Sequence, residues 1–253
     1  MASTVLFHAD NHKNVLLEDS SAGSVAVEAN QHVIVHEGSG MVLDPGGHKV
    51  YAKVLAETMK QLGKARLEHI FLSHQDPDIV AAINGWLMTT EATAYASNLW
   101  LRFIPHFGLD RLVMNRLKGI PDEGRVLDLA GCKLLILPAH FLHSPGNFQV
   151  YDPISKILYT GDLGTSVGAD YPEVTDFEAH RPRMEPFHRR YMASGRTLRA
   201  WAQMVRGLDV EIVAPQHGAF FRGKELVGRF LDWAEGLEVG VDVMDAIYQL
   251  PTR

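Results

Sequence analysis

Four apolar runs in this chain each end in histidine or aspartate set beside glycine or proline, and this repeated corner limits what the chain can fold into. "FLSHQDPDIV" places His74, Asp76 and Asp78 where the run through Phe71 and Leu72 stops. "LLILPAHFLHSPGN" follows its run with His140 and His143, "ILYTGDLG" ends in Asp162, and "EIVAPQHGAF" ends in His217. In layered α/β folds the ends of neighbouring strands converge on one sheet edge, so side chains far apart in sequence can meet there. Taken alone, Asp76 and Asp78 would read as helix caps beside a surface histidine. Four corners of the same kind point instead to one shared metal site.

The apolar runs predict strands at about 32–36, 41–43, 67–72, 133–137, 148–151, 157–160 and 211–214, with "HEGSGM" and "YDPISK" as the turns of two hairpins. Helical periodicity covers about 49–62, 78–90, 98–104, 187–206 and 223–236. Hairpins and strands followed by helices in both halves imply an α/β protein whose sheets are covered by helices on their outer faces. No linker rich in glycine, serine or proline divides it, so a single domain over 1–253 is expected, with 237–253 a C-terminal helix or arm. Residues 163–186 lack clear periodicity, and loops of that length are commonly lids or disordered.

Composition narrows the function. A net charge of −6 with no dense Lys/Arg cluster disfavours a nucleic-acid partner. The longest apolar runs fall short of the roughly 18–20 residues that a membrane span needs, so no membrane insertion is expected. The start "MASTVLFHADNHK" lacks a basic segment leading into an apolar one, and a cytoplasmic location is the expectation. Cys132 is the single cysteine, which excludes a disulfide within the chain and reads as a buried thiol. Thirteen histidines exceed what folding alone requires.

Together with "DPGG" at 44–47, the four corners resemble the metallo-β-lactamase superfamily over about 30–220. The resemblance implies an αββα sandwich with metals at one edge between two sheets. Hydrolases of that superfamily carry His-x-His-x-Asp-His in the first motif, whereas this chain has Asp76 at the second histidine and Ile79 at the last. A carboxylate there is similar to the di-iron branch, the flavodiiron proteins, as is "ASNLW" at 96–100. Carried over, the resemblance implies a first iron bound by His74, Asp76 and His143 and a second bound by Asp78 and His217, with Asp162 bridging. His140 falls outside that set and reads as an outer hydrogen-bond donor or a surface residue.

Three ionised carboxylates are hard oxygen donors that favour ferric over ferrous iron, which suits a site that gives electrons to dioxygen. Zinc binds such sites more tightly than ferrous iron by the usual affinity order, so it is a ready substitute in a purified sample. An alkyl side chain at Ile79 cannot replace an imidazole, which leaves the second metal a ligand short and marks Ile79 as a ligand-access position. Trp86 and Phe148 are further candidates for apolar walls, and Tyr171, His180 and His188 for a lid. The 36 residues after His217 are too few for a flavodoxin-like module, so no flavin is expected in this chain.

"SHQDPDIV" and "APQHGAFFRGKELV" are similar to the stand-alone oxygen-binding di-iron proteins of bacteria. That likeness implies a non-haem di-iron protein that binds dioxygen, held as a bridging peroxide, for sensing or signalling linked to chemotaxis. Two alternatives stay open: an oxygen or nitric oxide reductase with an external electron donor, and a metal-dependent hydrolase of lactonase or thioesterase type. Sensing fits the residues better than hydrolysis, since the loss of two imidazoles works against a Lewis-acid zinc pair. The branch implies a homodimer. The amphipathic "FLDWAEGLEVGVDVMDAIYQL" suits a dimer or receptor contact, or ordinary packing on its own domain.

Overall fold

Side chains along the central strands alternate between two apolar environments, so these strands need cover on both faces. Val33, Val42 and Ile70 pack with Val54, Ile79 and Trp86 of a helical layer, while Ile34, Met41, Leu43 and Phe71 pack against a second sheet. The same alternation recurs in the second half. Ile157 and Tyr159 face the first sheet, and Leu158 faces helices through Leu198, Trp201 and Phe230. Three apolar layers thus separate four tiers, helix, sheet, sheet and helix, which is the expected αββα sandwich.

A computed structural model describes residues 3–18 and 28–251. The first half builds one mixed sheet in chain order from β1 (Ser3–Ala9), β2 (His12–Leu17), β3 (Gln31–His36), β4 (Ser39–Leu43), β5 (Arg66–Phe71), β6 (Thr93–Ser97) and β7 (Leu117–Ile120). The second half supplies β8 (Arg125–Leu129), β9 (Cys132–Pro138), β10 (Phe148–Asp152), β11 (Ile157–Gly161), β12 (Glu173–Val174), β13 (Ile212–Pro215) and β14 (Phe220–Arg222), in the order β12-β14-β13-β11-β10-β9-β8. Strands β4 and β5 run parallel, as do β11 and β13, so the C-terminal ends of each pair open on one edge. Both expected hairpins form. Glu37 and Gly38 have φ of 46° and 81°, the paired positive values of a two-residue type I′ turn, and Asp152 Oδ1 accepts from Ile154 N at 3.0 Å to close the β10–β11 turn.

The helices are α1 (Tyr51–Leu62), α2 (Pro77–Val80), α3 (Ile83–Thr89), α4 (Phe177–Tyr191), α5 (Gly195–Val205) and α6 (Lys224–Gly236). Four expectations need correction. The helix expected over 78–90 is two, broken at Ala81 and Ala82. That expected over 98–104 is a run of turns leading into the 3-10 segment Ile104–Phe107. That expected over 187–206 is also two helices, because α5 starts afresh where Ser194 Oγ accepts from Thr197 N. Helix α4 begins inside the supposed loop at 163–186. Asp176 caps it, accepting from Glu178 N and Ala179 N, and it runs through Pro182 and Pro186, two residues that read as helix breakers.

Residues 237–251 form short turns, Gly240–Asp242 and Asp245–Ile247, and Asp242 Oδ2 accepts from Gly195 N at 2.6 Å to tie them to α5. Residues 252–253 of the expected arm lie outside the described residues. No helix among the described residues is long and apolar enough to cross a membrane.

At the opposite edge a buried polar cluster joins the two sheets. Asp152 Oδ2 accepts from His12 Nε2 at 2.7 Å, Asn14 Nδ2 at 2.7 Å and Ser155 Oγ at 2.8 Å, and Cys132 Sγ lies 3.8 Å from Oδ1. His12, Cys132 and Asp152 could in principle hold a cation. The hydrogen bonds already saturate Asp152, so the cluster reads as a structural pin between sheets.

Candidate metal centre

The chain emerges from β5 at Leu72 and turns at Ser73, whose N–H donates to Asp44 Oδ1 at 2.7 Å. Asp44 follows β4, and burial pushes its carboxyl up to about 6. In the same "DPGG" turn a Cβ on Gly47 would sit 3.0 Å from Pro77 O, so the small residue lets the turn pack against the start of α2. His74 and Asp76 are thereby fixed at the mouth of the first sheet. Asp76 occupies the N-cap position of α2, yet its side chain makes no cap hydrogen bond. The carboxylate turns instead to the histidines, with Oδ2 lying 3.6 Å from His74 Nε2 and 3.5 Å from His143 Nε2.

Asp162, at the end of β11, faces two groups at once. Its Oδ2 is 2.9 Å from His143 Nε2 and 3.7 Å from His74 Nε2, and its Oδ1 is 3.4 Å from His217 Nε2. His217 Nε2 also lies 3.5 Å from Asp78 Oδ2. One group is therefore His74, Asp76, His143 and Asp162, whose donor atoms lie within 4.8 Å of one another. The other is Asp78, His217 and the second oxygen of Asp162. All six side chains expected at the centre meet at one edge. Among the described residues the ion-pair partners of Asp76, Asp78 and Asp162 are all histidines.

Neighbours aim these side chains. His217 Nδ1 donates to Glu28 O at 2.6 Å and His74 Nδ1 pairs with Ser73 Oγ at 2.9 Å, so each ring turns Nε2 toward the carboxylates. Gln75 Nε2 donates to Asp76 Oδ1 at 2.9 Å, and Ser144 Oγ donates to Gln75 Oε1 at 2.6 Å, which links the loops carrying Asp76 and His143. Gly218 has φ of 82°, and a Cβ there would lie 2.0 Å from Ser166 Oγ, so the turn after His217 requires glycine. Glu28, Ser73, Gln75 and Ser144 were not singled out from sequence. Gln75 alone carried a signal, by lying inside the His-x-Asp-x-Asp motif.

The remaining candidates lie elsewhere. His140 Nε2 donates to Asp122 O at 2.8 Å, away from the cluster. Ile79 and Trp86 are fully buried in the layer between helices and first sheet, and Phe148 is buried between the sheets. His180 pairs with Tyr171, and His188 Nε2 accepts from Gly164 N at 2.9 Å while its ring packs on Trp233. These residues help seat α4 rather than forming a lid. A cavity does open beside the centre, lined by Thr165, Ser166, Phe187, Tyr191, His217 and neighbours.

The electrostatics are those of a cation site. Burial pushes Asp162 up, but the charge on His74 and the adjacent His143 and His217 rings outweigh it and hold the carboxyl well below the usual range. Burial lowers His143 and His217, and the carboxylates overcome it, raising His143 to about 10 and His217 to about 9. Without metal, both rings carry protons at pH 7. Metal binding must displace them, so calorimetry in buffers of different ionisation enthalpy is expected to show at least two protons released per chain, with affinity rising as pH increases toward about 9–10. Buffer-independent heats would contradict these histidines as ligands. Asp162 Oδ1 is buried without a hydrogen bond, an unused acceptor that a cation fits.

The family model for the "ODP family beta lactamase" matches residues 27–218, a span that begins beside Glu28 and ends just after His217. The chain belongs to this family. The ODP-family chain is 39% identical to, and superposes with a TM-score of 0.87 on, the peroxy diiron species of chemotaxis sensor ODP, covering 98% of this chain and 100% of that one. Rubredoxin oxygen:oxidoreductase from Desulfovibrio gigas shares the fold, with a TM-score of 0.75 at 15% identity over 92% of this chain and 61% of that one. A putative diflavin flavoprotein A 2 of Synechocystis sp. is 25% identical over 199 residues, 74% of this chain and 33% of that protein. The chain spans about a third of the length of the curated relatives it matches.

Proposed function

We propose that this chain is a non-haem di-iron protein that binds dioxygen as a sensory signal. The observation that carries the reading is Asp162, whose two oxygens face two separate His/Asp groups. His74, Asp76, His143 and Asp162 would hold one iron, and Asp78, His217 and Asp162 the other. The similarity to a chemotaxis sensor seen as a peroxy diiron species supports this assignment over hydrolysis. When bound, the iron pair supplies reducing electrons to a diatomic ligand.

The chain's own residues set the surroundings. Asp44 and Ser73 hold the His74 loop, Glu28 and Gly218 hold His217, and Gln75 joins the Asp76 and His143 loops. Ile79, beside Asp78, is buried in the layer between the helices and the first sheet and contributes no donor to the second iron. Buried apolar packing on the first-sheet side restricts proton delivery, which favours binding over turnover. The reading includes a cytoplasmic homodimer and a signalling partner. Apolar Ile247, Tyr248 and Leu250 are exposed at the C-terminal end, surface of the kind that such contacts cover.

Oxygen uptake by the ferrous-loaded protein tests the reading. We expect about one dioxygen consumed per two irons, without an added reductant and without further turnover. Sustained consumption with an added electron donor would instead identify a reductase.

A further inference from the structure

Two donor groups of unequal size share Asp162. The first comprises four side chains, whereas the second has only Asp78, His217 and the remaining Asp162 oxygen. Gln216 stands next to this poorer group. Its side chain is 1% exposed, and Nε2 donates to Asp78 Oδ2 at 3.3 Å, the same oxygen that His217 Nε2 faces. The contact fixes the amide orientation, because a carbonyl oxygen turned toward a carboxylate would be repelled. Oε1 is left buried with no hydrogen-bond partner.

The backbone does not let this residue move aside. Gln216 N donates to Gly161 O at 2.8 Å, directly before Asp162, and Gln216 O accepts from Asn30 N at 2.6 Å. The amide is thus pinned between the two sheets with an acceptor that the protein does not use. Native folds seldom leave such an oxygen unpaired, and a buried one that stays unpaired beside a donor-poor ion site is a natural seat for that ion. Ile79, the neighbour of Asp78, carries no donor atom, so the second position has a shortage and an unused oxygen beside it.

We infer that Gln216 completes the second metal position: Nε2 orients Asp78, and Oε1 is a neutral oxygen donor to the ion held by Asp78, His217 and Asp162. The inference rests on the two-metal reading above. A neutral amide oxygen adds no charge and is a weaker donor than imidazole to borderline ions such as ferrous iron or zinc. It would therefore keep the second ion exchangeable while fixing its location.

Metal-free protein titrated with zinc(II) and cobalt(II), alongside Gln216→Met and Gln216→Glu, tests this. For Gln216→Met we expect unchanged affinity at the first position and at least tenfold weaker binding at the second. The metal-free Tm should be equal or higher, since the variant removes an unsatisfied buried oxygen. Gln216→Glu keeps an oxygen and loses the N–H, and is expected to restore second-position affinity to the wild-type level or above.

Second-position binding by Gln216→Met within threefold of wild type overturns the inference while leaving the two-metal reading intact. So does a parallel loss at both positions with a lowered metal-free Tm, which would mark a purely structural glutamine. Failure of Gln216→Glu to restore binding overturns the oxygen-donor assignment. A wild-type chain that holds only one metal overturns the two-metal reading and this inference together.

Discussion

Asp162→Ala is expected to abolish paired metal binding while the sandwich still folds. Asp162 offers one oxygen to His74 and His143 and the other to His217, so a single truncation removes a donor from both groups. Loss of groups that merely orient metal ligands typically costs 10–100-fold in affinity, and loss of a shared carboxylate is expected to exceed about 100-fold at the second position. A second signature follows from charge. The Asp162 carboxylate is the foremost influence raising His143 and His217 against burial, so without it both rings shed protons at lower pH. Proton release on metal binding at pH 7 should then fall along with affinity. Metal analysis and buffer-dependent calorimetry check both effects, and two metals bound with wild-type affinity would remove Asp162 from the bridge.

The second large effect lies at the far edge of the sandwich. Asp152→Ala breaks a fully buried pair with His12 and leaves Asn14 and Ser155 without their common acceptor. Leaving a buried hydrogen-bond donor without its acceptor typically costs about 1–3 kcal/mol, and here His12, Asn14 and Ser155 all lose it, so a loss of about 3 kcal/mol or more is expected. Urea unfolding of metal-free protein is the measurement. Asp152→Asn retains an acceptor oxygen and should lose about 1–2 kcal/mol. Both variants should keep two metals, since the cluster sits at the edge opposite the histidine corners. A loss below about 1 kcal/mol for Asp152→Ala would mean that the cluster does not pin the sheets.

Much of this architecture was legible because the strands are buried on both faces. Such strands read as continuous apolar runs, and the runs at 32–36, 67–72 and 157–160 correspond to β3, β5 and β11 to within a residue or so. Their ends carried the site. His74, Asp162 and His217 stand where a run stops, which is also where a parallel strand opens on the functional edge. Strands β1, β2, β6, β7, β8, β12 and β14 went unread: β1 is mostly not buried, β2 mixes His12, Lys13 and Asn14 into its apolar pattern, and β7, β12 and β14 are two to four residues long.

Helix α4 was hidden by Pro182 and Pro186, whose local preference is overruled by packing of Met184 and His188 against the second-sheet layer. The break between α4 and α5 was invisible for the opposite reason, since apolar periodicity continues across Met192. At the site, apart from Gln75 inside the His-x-Asp-x-Asp motif, the aiming contacts carried no sequence signal. Glu28 and Ser73 use main-chain or small hydroxyl groups, and Gln216 resembles any polar residue in a loop until its amide is found buried against Asp78.

Two irons sharing Asp162 are proposed to bind dioxygen and hold it. The most direct test is to load metal-free protein with ferrous iron under anaerobic conditions, admit oxygen and follow the visible absorption spectrum. A band should appear at two irons per chain and persist for a long time without an added reductant. No band at that stoichiometry, with zinc retained through purification and esters or lactones cleaved, would contradict the proposal.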